Sequence, residues 1–431
     1  MNSLNRHIST LINLWRNGSL KKNKGAADSK CGASFSKQRA ATNRAAASFE
    51  RGAKNTPLST RAASQLSARE IADAGKKLLE LQRGLTGGRN LAGAGYMQDS
   101  GFLGAYLLYY WPVTYMQIHF AVSEFPEQLK ERLNKKELRL LDLGSGPAPA
   151  SASLCDEFPQ IKNVTLVDSS EKSLTLGKSV LTSDFKNLSV ETLRCDFERC
   201  DFEKTFPALQ KNSFDIIVMS HALNELWKNQ SNALEKRRTF LLKVADYLTQ
   251  DGILLLNEPA LLKTSRELIF VRNSLLNEGF FVLSPCLCSA ECPALLQGEN
   301  HTCHSEKEWV APEPVASLAK AAGLDRESVK MSFFALSRTP LSILENDEFW
   351  RVVSDSMLNK SGRIRYLICS GKKRVAFSAK KDDSNAQKKG FFNLKRYDCF
   401  KIEKPELRGE PQNPAFGVNS QTEILPAKKL P

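Results

Sequence analysis

The spacing of apolar positions changes along the chain at about residue 136. Before that point, over 66–135, apolar residues recur at helical intervals, and the aromatic stretch 96–125 predicts two helices that break near Pro112. We interpret the Tyr and Trp side chains of this stretch as core rather than as a platform on which bases stack. The pattern therefore predicts a helical lead-in over 66–135.

After residue 136, short apolar runs alternate with amphipathic segments of helical length. Five runs predict strands, because each is apolar and ends in a glycine, an acid or a turn: LRLLDLG, VTLVDSS, LSVETLRCDF, FDIIVMS and DGILLLNEP. Strands separated by helices predict an α/β fold over 136–280, with a parallel sheet that is covered by helices on both faces. In such a sheet the ligand lies at the carboxyl ends of the strands.

The remaining segments predict less regular structure. Residues 281–400 contain an irregular cysteine-rich loop, a helix at 313–325 and three short strands, so we expect that loop to be followed by a small C-terminal module. The two ends, 1–65 and 401–431, are polar and rich in Ser, Ala, Asn or Pro, which is typical of disordered tails.

The chain carries a net charge of +14, and most of it lies at the amino terminus. Residues 1–65 hold twelve Lys or Arg and two acids, which gives them +10. Positive charge indicates an anionic partner, most commonly nucleic acid, and basic patches at 372–374, 380–381 and 388–389 add to it. We interpret 1–65 as an RNA-binding arm. The alternative is an organelle transit peptide. Such peptides contain few acidic residues, and the first acidic residue of this chain is Asp28.

Length and composition exclude several classes of protein. With 431 residues, of which 42% are hydrophobic, the chain can form one large domain or two ordinary ones. It has no run of about 18 or more apolar residues, so we expect no membrane span. The apolar part of the amino terminus is too short and interrupted for a secretory signal. The ten cysteines are therefore expected to be reduced thiols used for metal or redox chemistry.

A candidate nucleotide pocket follows the first predicted strand. Gly144, Ser145 and Gly146 stand between that strand and a helix, where glycines let the backbone approach a ligand and the helix offers free N–H groups. Asp168 ends the second strand, 24 residues after Gly144, where a carboxylate can accept from ribose hydroxyls. Asp196 ends the third strand, within reach of an adenine amino group. The alternative is an ordinary tight turn beside two exposed acids. The order of the glycine turn and the two acids along successive strands favours a cofactor that contains adenosine.

The details favour S-adenosylmethionine over NAD. The third glycine of the dinucleotide fingerprint is absent, since Pro147-Ala148-Pro149-Ala150 comes next, and no Walker lysine follows. The fourth strand leads into Ser220-His221-Ala222-Leu223-Asn224, where such enzymes place groups that face the methyl donor and acceptor. Being three residues apart, His221 and Asn224 can share a helix face, so we expect His221 to contact the cofactor and Asn224 the substrate. Alternatively, both only stabilise the turn. No catalytic base can be named from the sequence.

The loop SPCLCSAECPALLQGENHTCHSEKEW, residues 284–309, holds four cysteines and two histidines. Thiolates bind zinc or iron, and a metal can supply the folding energy of an irregular loop. The paired C-x2-C knuckles of a zinc finger are absent, whereas iron–sulfur clusters accept four thiolates at looser spacing, with Cys369 as a remote candidate. The alternatives are free thiols, or a nucleophilic Pro285-Cys286 as in cytosine-carbon methyltransferases. In those enzymes, however, the motif follows the fourth strand rather than the fifth.

An ordered set of motifs resembles the ribosomal small-subunit methyltransferase-like family of bacteria and mitochondria. The set consists of GSGP, SHALNEL, NEP, a helix with Arg272, PC…CP, C-H-x4-W, SFFALSR and a final cysteine strand. The resemblance covers roughly 95–400 and is most specific from Pro285 to Cys369. It implies a class I methyltransferase (Rossmann-like) fold that uses S-adenosylmethionine, association with the small ribosomal subunit and its rRNA, and a 4Fe–4S cluster.

By position, the resemblance implies four cluster ligands, Cys286, Cys292, Cys303 and Cys369. Zinc is the alternative metal. Cys288 stands where the family has a histidine and is therefore an extra thiol, and the distance from Cys292 to Cys303 is longer than in the family pattern. Ala148 replaces a family glycine, and we expect its methyl group to narrow the cofactor pocket.

The sequence thus predicts an rRNA methyltransferase that binds the small ribosomal subunit, is monomeric and has no membrane partner. We expect it in the cytoplasm, with the mitochondrial matrix as the alternative. Two other functions stay open. One is a non-catalytic assembly factor that keeps the fold, which the missing catalytic motif and Ala148 favour. The other is a zinc-stabilised RNA-binding protein.

Overall fold

The structure is a computed structural model that describes residues 2–17, 65–87, 90–91, 94–134, 137–200, 204, 209–324, 326–341, 349–410 and 413–427. The α-helices of these residues are α1 (Asn2–Arg16), α2 (Ala68–Gln82), α3 (Ser100–Ala105), α4 (Trp111–Ser123), α5 (Glu127–Asn134), α6 (Pro149–Glu157), α7 (Glu171–Asp184), α8 (Ala233–Ala245), α9 (Leu262–Leu276), α10 (Pro293–Leu296), α11 (Val315–Ala321) and α12 (Ser384–Lys388). Short π or 3-10 segments lie at Arg83–Gly87, Ala94–Gln98, Tyr106–Tyr110, Leu223–Glu225 and Phe391–Asn393.

The strands form two sheets, each with eight strands. The first sheet contains β1 (Leu138–Leu143), β2 (Ile161–Asp168), β3 (Ser189–Arg194), β4 (Phe214–Ser220), β5 (Leu248–Glu258), β6 (Phe281–Ser284), β7 (Ser305–Glu308) and β8 (Ser328–Ser337). The second contains β9 (Phe349–Val352), β10 (Met357–Leu358), β11 (Arg363–Cys369), β12 (Arg374–Lys380), β13 (Cys399–Glu403), β14 (Glu406–Glu410), β15 (Asn413–Gly417) and β16 (Glu423–Pro426).

The strand order of the first sheet determines where a ligand can bind. The order is β3-β2-β1-β4-β5-β8-β6, and β7 pairs with β8. The strands β1 to β5 are parallel, whereas β8 is antiparallel to both of its neighbours. From β1 the chain moves outward through β2 and β3, then returns to β4 on the other side. The switch point between β1 and β4 therefore opens a crevice at the carboxyl ends of these strands.

Local sequence explains why these elements form. The strand β4 is buried along nearly its whole length, as expected of a parallel strand with helices on both faces. Ser67 and Glu70 form a capping box at the start of α2, and the Ser170 hydroxyl accepts from the Ser173 N–H at the start of α7. In α4, buried residues occur on every side, so this helix lies inside the protein, with Pro112 in its first turn.

Two apolar cores lie against the first sheet, and a third lies in the second sheet. One core joins α1, the lead-in helices and α6 to one face of the strands. Another joins α8, α9 and part of the cysteine loop to the opposite face. The lead-in 66–135 thus shares a core with the α/β domain. The expected boundary at 280 is wrong, because β6 and β8 complete the first sheet, and the C-terminal module begins after Ser337.

Both expected tails contain ordered structure. Residues Asn2–Arg16 form α1 because Leu4, Ile8, Leu11 and Ile12 recur on one face and are buried in the first core. The predicted disorder is therefore wrong for these residues, and most of the remaining tail lies outside the described residues. The carboxyl-terminal prediction is also wrong for β13–β16, whose short, partly exposed strands give a weak sequence pattern. None of the described helices is both long and apolar enough to cross a membrane.

Candidate functional site

The glycine loop after β1 forms one wall of the crevice. Gly144 and Gly146 adopt left-handed backbone conformations, with φ of 67° and 52°. A side chain on Gly144 would meet the Ala222 Cβ at 2.4 Å, so the turn after β4 packs directly against the loop. A side chain on Gly146 would meet only the Met97 Cε, at 4.0 Å. The loop therefore borders open space at Gly146, and the Cβ of any other residue at this position would occupy part of the crevice.

Asp168 ties this loop to the neighbouring strand end. Its carboxylate accepts from the Gly146 N–H at 2.9 Å and from the Ser170 N–H at 2.8 Å, and burial raises its pKa. Ser145 is buried, and its hydroxyl donates to the Gly146 carbonyl at 3.3 Å. The structure therefore brings Gly144, Ser145, Gly146 and Asp168 together at the switch point.

Asp196 lies at the next strand end, in a turn with more exposure to solvent. Its side chain is 45% exposed, and its Oδ1 accepts from the Glu198 N–H at 3.1 Å. The Cys195 N–H donates to the Asp168 carbonyl at 3.0 Å, so the two acids stand on adjacent strand ends. Cys195 forms a disulfide with Cys200 across this turn. The expectation that the cysteines are all reduced is therefore wrong for this pair.

The methyl group of Ala148 does not face the crevice. Ala148 has a left-handed conformation with φ of 61°, and a side chain built on Gly177 would meet its Cβ at 3.1 Å. The methyl group thus lies against α7, where the glycine makes room for it. The expectation that Ala148 narrows the cofactor pocket is wrong, because the added carbon points into the helix–sheet layer.

The lead-in covers the glycine loop, which sequence reasoning missed. The Trp111 Nε1–H donates to the Pro147 carbonyl at 2.8 Å. Burial raises the pKa of Tyr96, and the carboxylates of Glu225 and Asp168 raise it further. The interpretation of the aromatics as core is confirmed for Trp111, which is buried, and for Tyr96, which is half-buried and packs against the core. The only sequence signal was its place in the glycine-rich stretch AGAGYMQ.

His221 and Asn224 do not share a helix face, contrary to expectation. His221 has a left-handed conformation with φ of 58°, and Asn224 lies in the short 3-10 turn that follows. The Asn224 N–H donates to the Glu258 Oε1 at 3.1 Å, and its side-chain amide donates to the Glu258 Oε2. Burial raises the pKa of Glu258 to about 8. Asn224 thus links the turn to the end of β5, as the alternative interpretation held.

The His221 ring faces a polar cluster that includes the lead-in. Its Nε2 lies 2.5 Å from the Oε1 of Gln117, a residue of α4. Asn257 at the end of β5 donates to the Ser220 hydroxyl at 2.9 Å. Burial lowers the pKa of His221 to about 4, so the ring is neutral at physiological pH. Gln117 and Asn257 carried no sequence signal of their own, because nothing local indicates that α4 reaches this turn.

Four cysteines come together at the far side of the first sheet. Burial raises the pKa of Cys303 to about 12, and the thiolates of Cys292 and Cys286 add to that rise. Burial also raises the pKa of Cys369, with further contributions from Cys303, Cys286 and Cys292. Three thiols of the loop after β6, those of Cys286, Cys292 and Cys303, lie in or against the apolar core that includes α8 and α9. Gly371 packs the end of β11, with Cys369, against that loop. We call these four cysteines the cysteine quartet.

Cys288 is the thiol of this loop that does not belong to the quartet. A side chain built on Gly371 would meet the Cys288 Sγ at 2.5 Å, so this thiol occupies the space above that glycine. Burial raises its pKa, and the neighbouring Cys286 raises it further. The extra thiol thus lies against Gly371, whose N–H donates to the Cys369 Sγ.

The surroundings of the quartet suit a negatively charged group. Arg272 and Arg374 both favour the thiolate form of Cys292, and each has buried N–H groups without a hydrogen-bond partner. The Gly371 N–H donates to the Cys369 Sγ at 3.3 Å. Within the described ranges, however, no three His, Cys, Asp or Glu side chains are arranged to hold one metal ion.

The crevice and the quartet meet across two adjacent strands. Glu258 of β5 pairs with Ser332 of β8, and the Ser332 hydroxyl donates to the Cys303 carbonyl at 3.2 Å. An ion cluster also joins the modules, since the half-buried Glu124 contacts Arg351 at 2.7 Å and Lys307 at 2.6 Å. The two regions therefore belong to one continuous structure.

Similarity to known proteins agrees with this geometry. A family model described as "Mitochondrial small ribosomal subunit Rsm22" matches residues 103–388. No curated protein matches the chain. Similar solved structures include a SAM-dependent methyltransferase from Leishmania major (16% identity, 62% of this chain, 86% of that chain, TM-score 0.34) and a ribosomal protein L11 methylase from Lactobacillus delbrueckii subsp. bulgaricus (13%, 52%, 79%, 0.29). Another is a precorrin-6y C5,15-methyltransferase from Geobacter metallireducens (13%, 49%, 85%, 0.30).

The strand order gives the fold without reference to these structures. Five parallel strands followed by one antiparallel strand beside β5 form the sheet of class I methyltransferases, which confirms the expected fold class. The family match confirms the resemblance found in the sequence. Because it spans more than half of the 431 residues, this chain belongs to the Rsm22 family.

Proposed function

We propose that this protein is an S-adenosylmethionine-dependent methyltransferase that acts on the rRNA of the small ribosomal subunit. The observation that carries the proposal is the crevice at the switch point. There Gly144 packs against Ala222 of the turn after β4, Gly146 borders open space, and Asp168 accepts from the Gly146 N–H. The family description supplies the small ribosomal subunit as the partner.

Each part of the crevice has a proposed role. The glycine loop and Ser145 would accommodate the amino-acid portion of the cofactor, Asp168 the ribose and Asp196 the adenine. S-adenosylmethionine, when bound, supplies a methyl group on a positively charged sulfur. Tyr96 would cover the crevice and exclude water, while His221 and Asn224 border the methyl acceptor. Because the geometry offers no strong base, positioning of the two reactants would provide most of the rate enhancement.

Methyl transfer to purified small-subunit particles tests this proposal. Protein and particles are incubated with S-adenosylmethionine that carries a labelled methyl group, and the label in the rRNA is mapped by mass spectrometry. We expect one labelled nucleotide that is absent when the protein is omitted. Cofactor binding without label in any precursor or mature particle would contradict the enzyme and favour the assembly factor.

We also propose that Cys286, Cys292, Cys303 and Cys369 hold a 4Fe–4S cluster. A cluster binds each thiolate through a different iron, so its ligands lie farther apart than those of a single zinc ion. Four cysteines, three from the loop after β6 and one from the end of β11, match the number of thiolates that such a cluster takes. The unpaired N–H groups of Arg272 and Arg374 would then face a cluster whose thiolates give it negative charge.

Metal analysis of protein purified without oxygen distinguishes the two metals. The 4Fe–4S proposal expects four irons per chain with equal sulfide and a broad visible absorbance. One zinc per chain would replace the cluster with a zinc site, and absence of both metals would leave the quartet as free thiols.

A non-catalytic assembly factor is the second candidate. Two observations favour it: Asn224 is engaged by Glu258, and His221 is too weak a base to accept a proton at neutral pH. In this case the basic surface, including the patches at 372–374 and 388–389, would still bind rRNA in a salt-dependent manner. The family description also favours the mitochondrial matrix over the cytoplasm as the compartment.

A further inference from the structure

The amide of Gln117 has a defined orientation. Gln117 is buried in α4, and its Nε2 donates to the Lys330 carbonyl of β8 at 2.9 Å. A carbonyl oxygen only accepts hydrogen bonds, so the nitrogen of the amide must be on that side. The Oε1 of Gln117 is therefore turned toward His221.

This orientation determines which nitrogen of His221 carries the hydrogen. The Gln117 Oε1 lies 2.5 Å from the His221 Nε2, and an amide oxygen cannot donate. The Nε2 must therefore carry the hydrogen. A neutral imidazole has one N–H, so the Nδ1 of His221 keeps a free lone pair and accepts hydrogen bonds.

The Nδ1 is available to a ligand. Among the described residues none donates to it, and the His221 residue is half-buried rather than fully enclosed. The next residue, Ala222, packs against the glycine loop, which places the ring at the edge of the crevice. His221 also has a left-handed backbone conformation, which is strained for a residue other than glycine and is concentrated at functional sites.

We propose that the His221 Nδ1 accepts a hydrogen bond from the methyl-accepting group of the nucleotide, and that Gln117 is the positioning residue that holds it in this state. The inference rests on the proposed methyltransferase function and specifies its substrate class. The acceptor must carry an N–H or O–H, as an exocyclic amino group or a ribose hydroxyl does. Carbon atoms and ring nitrogens without hydrogen do not meet this requirement.

The role of His221 is orientation rather than proton removal. As the acceptor nitrogen or oxygen forms its bond to the methyl carbon, the sulfur–carbon bond breaks and its electron pair stays on sulfur. The hydrogen bond to Nδ1 directs the lone pair of the acceptor along that line. The acceptor proton then leaves to water.

The tautomer of His221 can be observed without any turnover. The protein has five histidines, so His221 is assigned in nitrogen-15 NMR spectra by comparison with His221→Asn. We expect Nε2–H in the unaltered protein. In Gln117→Leu, the Asn257 amide, 3.4 Å from Nε2, can donate to it instead, so the hydrogen is expected to move to Nδ1. Finding Nδ1–H in the unaltered protein overturns the inference.

Transfer kinetics on small-subunit particles test the functional part. We expect Gln117→Leu to lower kcat at least tenfold, with affinity for S-adenosylmethionine unchanged, because Gln117 orients only the acceptor. In Gln117→Glu, the carboxylate also accepts from Nε2 but raises the pKa of His221. Its activity should fall as the pH decreases, when Nδ1 is protonated, and recover as the pH increases.

The outcomes separate this inference from the proposed function. Unchanged kcat in Gln117→Leu, or a Gln117→Glu profile like that of the unaltered protein, overturns the role of His221 while the methyltransferase stands. If the unaltered protein shows Nε2–H but methylates no particle, the proposed function and the acceptor role both fall, and only the positioning by Gln117 remains. If Gln117→Leu does not fold, Gln117→Glu decides.

Discussion

The crevice and the cysteine quartet are built in different ways. The crevice consists mainly of backbone at the ends of adjacent parallel strands, and its carboxylate at Asp168 already accepts two N–H groups. The quartet combines a loop with a strand from the second sheet, and the arginines beside it have unpaired buried N–H groups. The polar groups of the crevice are therefore paired within the protein, whereas the arginines beside the quartet keep buried N–H groups without a partner.

The largest expected difference between the crevice and the quartet comes from removing one quartet thiol. If the quartet holds the proposed cluster, Cys292→Ser should lower the iron content to background and the Tm by several degrees, because about 3 kcal/mol or more of metal binding also stabilises the fold. Iron analysis and thermal unfolding measure both effects. Cys288→Ser is the matched control from the same loop and should keep its iron. Full iron in Cys292→Ser would remove this residue from the ligands.

The ion cluster at Glu124 tests whether the two regions depend on each other. In Arg351→Leu, the half-buried Glu124 keeps Lys307 as a partner, so the free energy of unfolding should fall by about 2–3 kcal/mol, less than for a fully buried pair. Urea unfolding measures the change. The double variant Glu124→Leu/Arg351→Leu should recover part of the loss, because it also removes the carboxylate that Arg351→Leu leaves with one partner fewer. A double variant less stable than Arg351→Leu would contradict this account.

His7 lies behind the crevice, and its pKa predicts that the free energy of unfolding depends on pH. The quartet does not share this dependence. Burial lowers its pKa, but hydrogen bonds to Asp156 at 2.8 Å and Asp184 at 2.5 Å outweigh it, so the pKa is raised above 6.5. Its stabilisation is complete below pH 6.5 and is lost as the pH rises through the higher, folded-state value, with a slope of at most about 1.4 kcal/mol per pH unit.

Unfolding in urea at several pH values measures this slope. His7→Gln should unfold with less dependence on pH above neutrality, while its neighbours Arg6, Tyr115, Asp156 and Asp184 remain. An identical slope in both proteins would show that His7 is not the group responsible.

The smallest expected effect concerns Ala148. Ala148→Gly removes a left-handed alanine that costs about 1–2 kcal/mol, but it also removes a buried methyl group and adds backbone entropy to the unfolded chain. These contributions oppose each other, so the Tm should change by only a few degrees. Affinity for S-adenosylmethionine should not change, because the methyl group faces Gly177. A tenfold gain in affinity would show that it does narrow the crevice.

The sequence predicted those features that depend on local order. Strand-ending motifs such as GSGP and the following Asp168 identify the crevice, because parallel strands place their carboxyl ends at one edge. It failed for α1 and β13–β16, where a basic or Pro-containing composition concealed elements that are stabilised by tertiary contacts. Tyr96 and Gln117 were also missed, since only the packing of the lead-in brings them to the crevice.

Equilibrium binding of S-adenosylmethionine, measured by calorimetry, tests the central claim most directly. Gly146→Ala places a methyl group in the crevice, and Gly279→Ala is its matched control, with a similar left-handed conformation, φ of 82°, and open surroundings. We expect the unaltered protein and Gly279→Ala to bind alike and Gly146→Ala to bind at least tenfold more weakly, about 1.4 kcal/mol. Absence of binding to the unaltered protein, or equal binding to all three, would contradict the account.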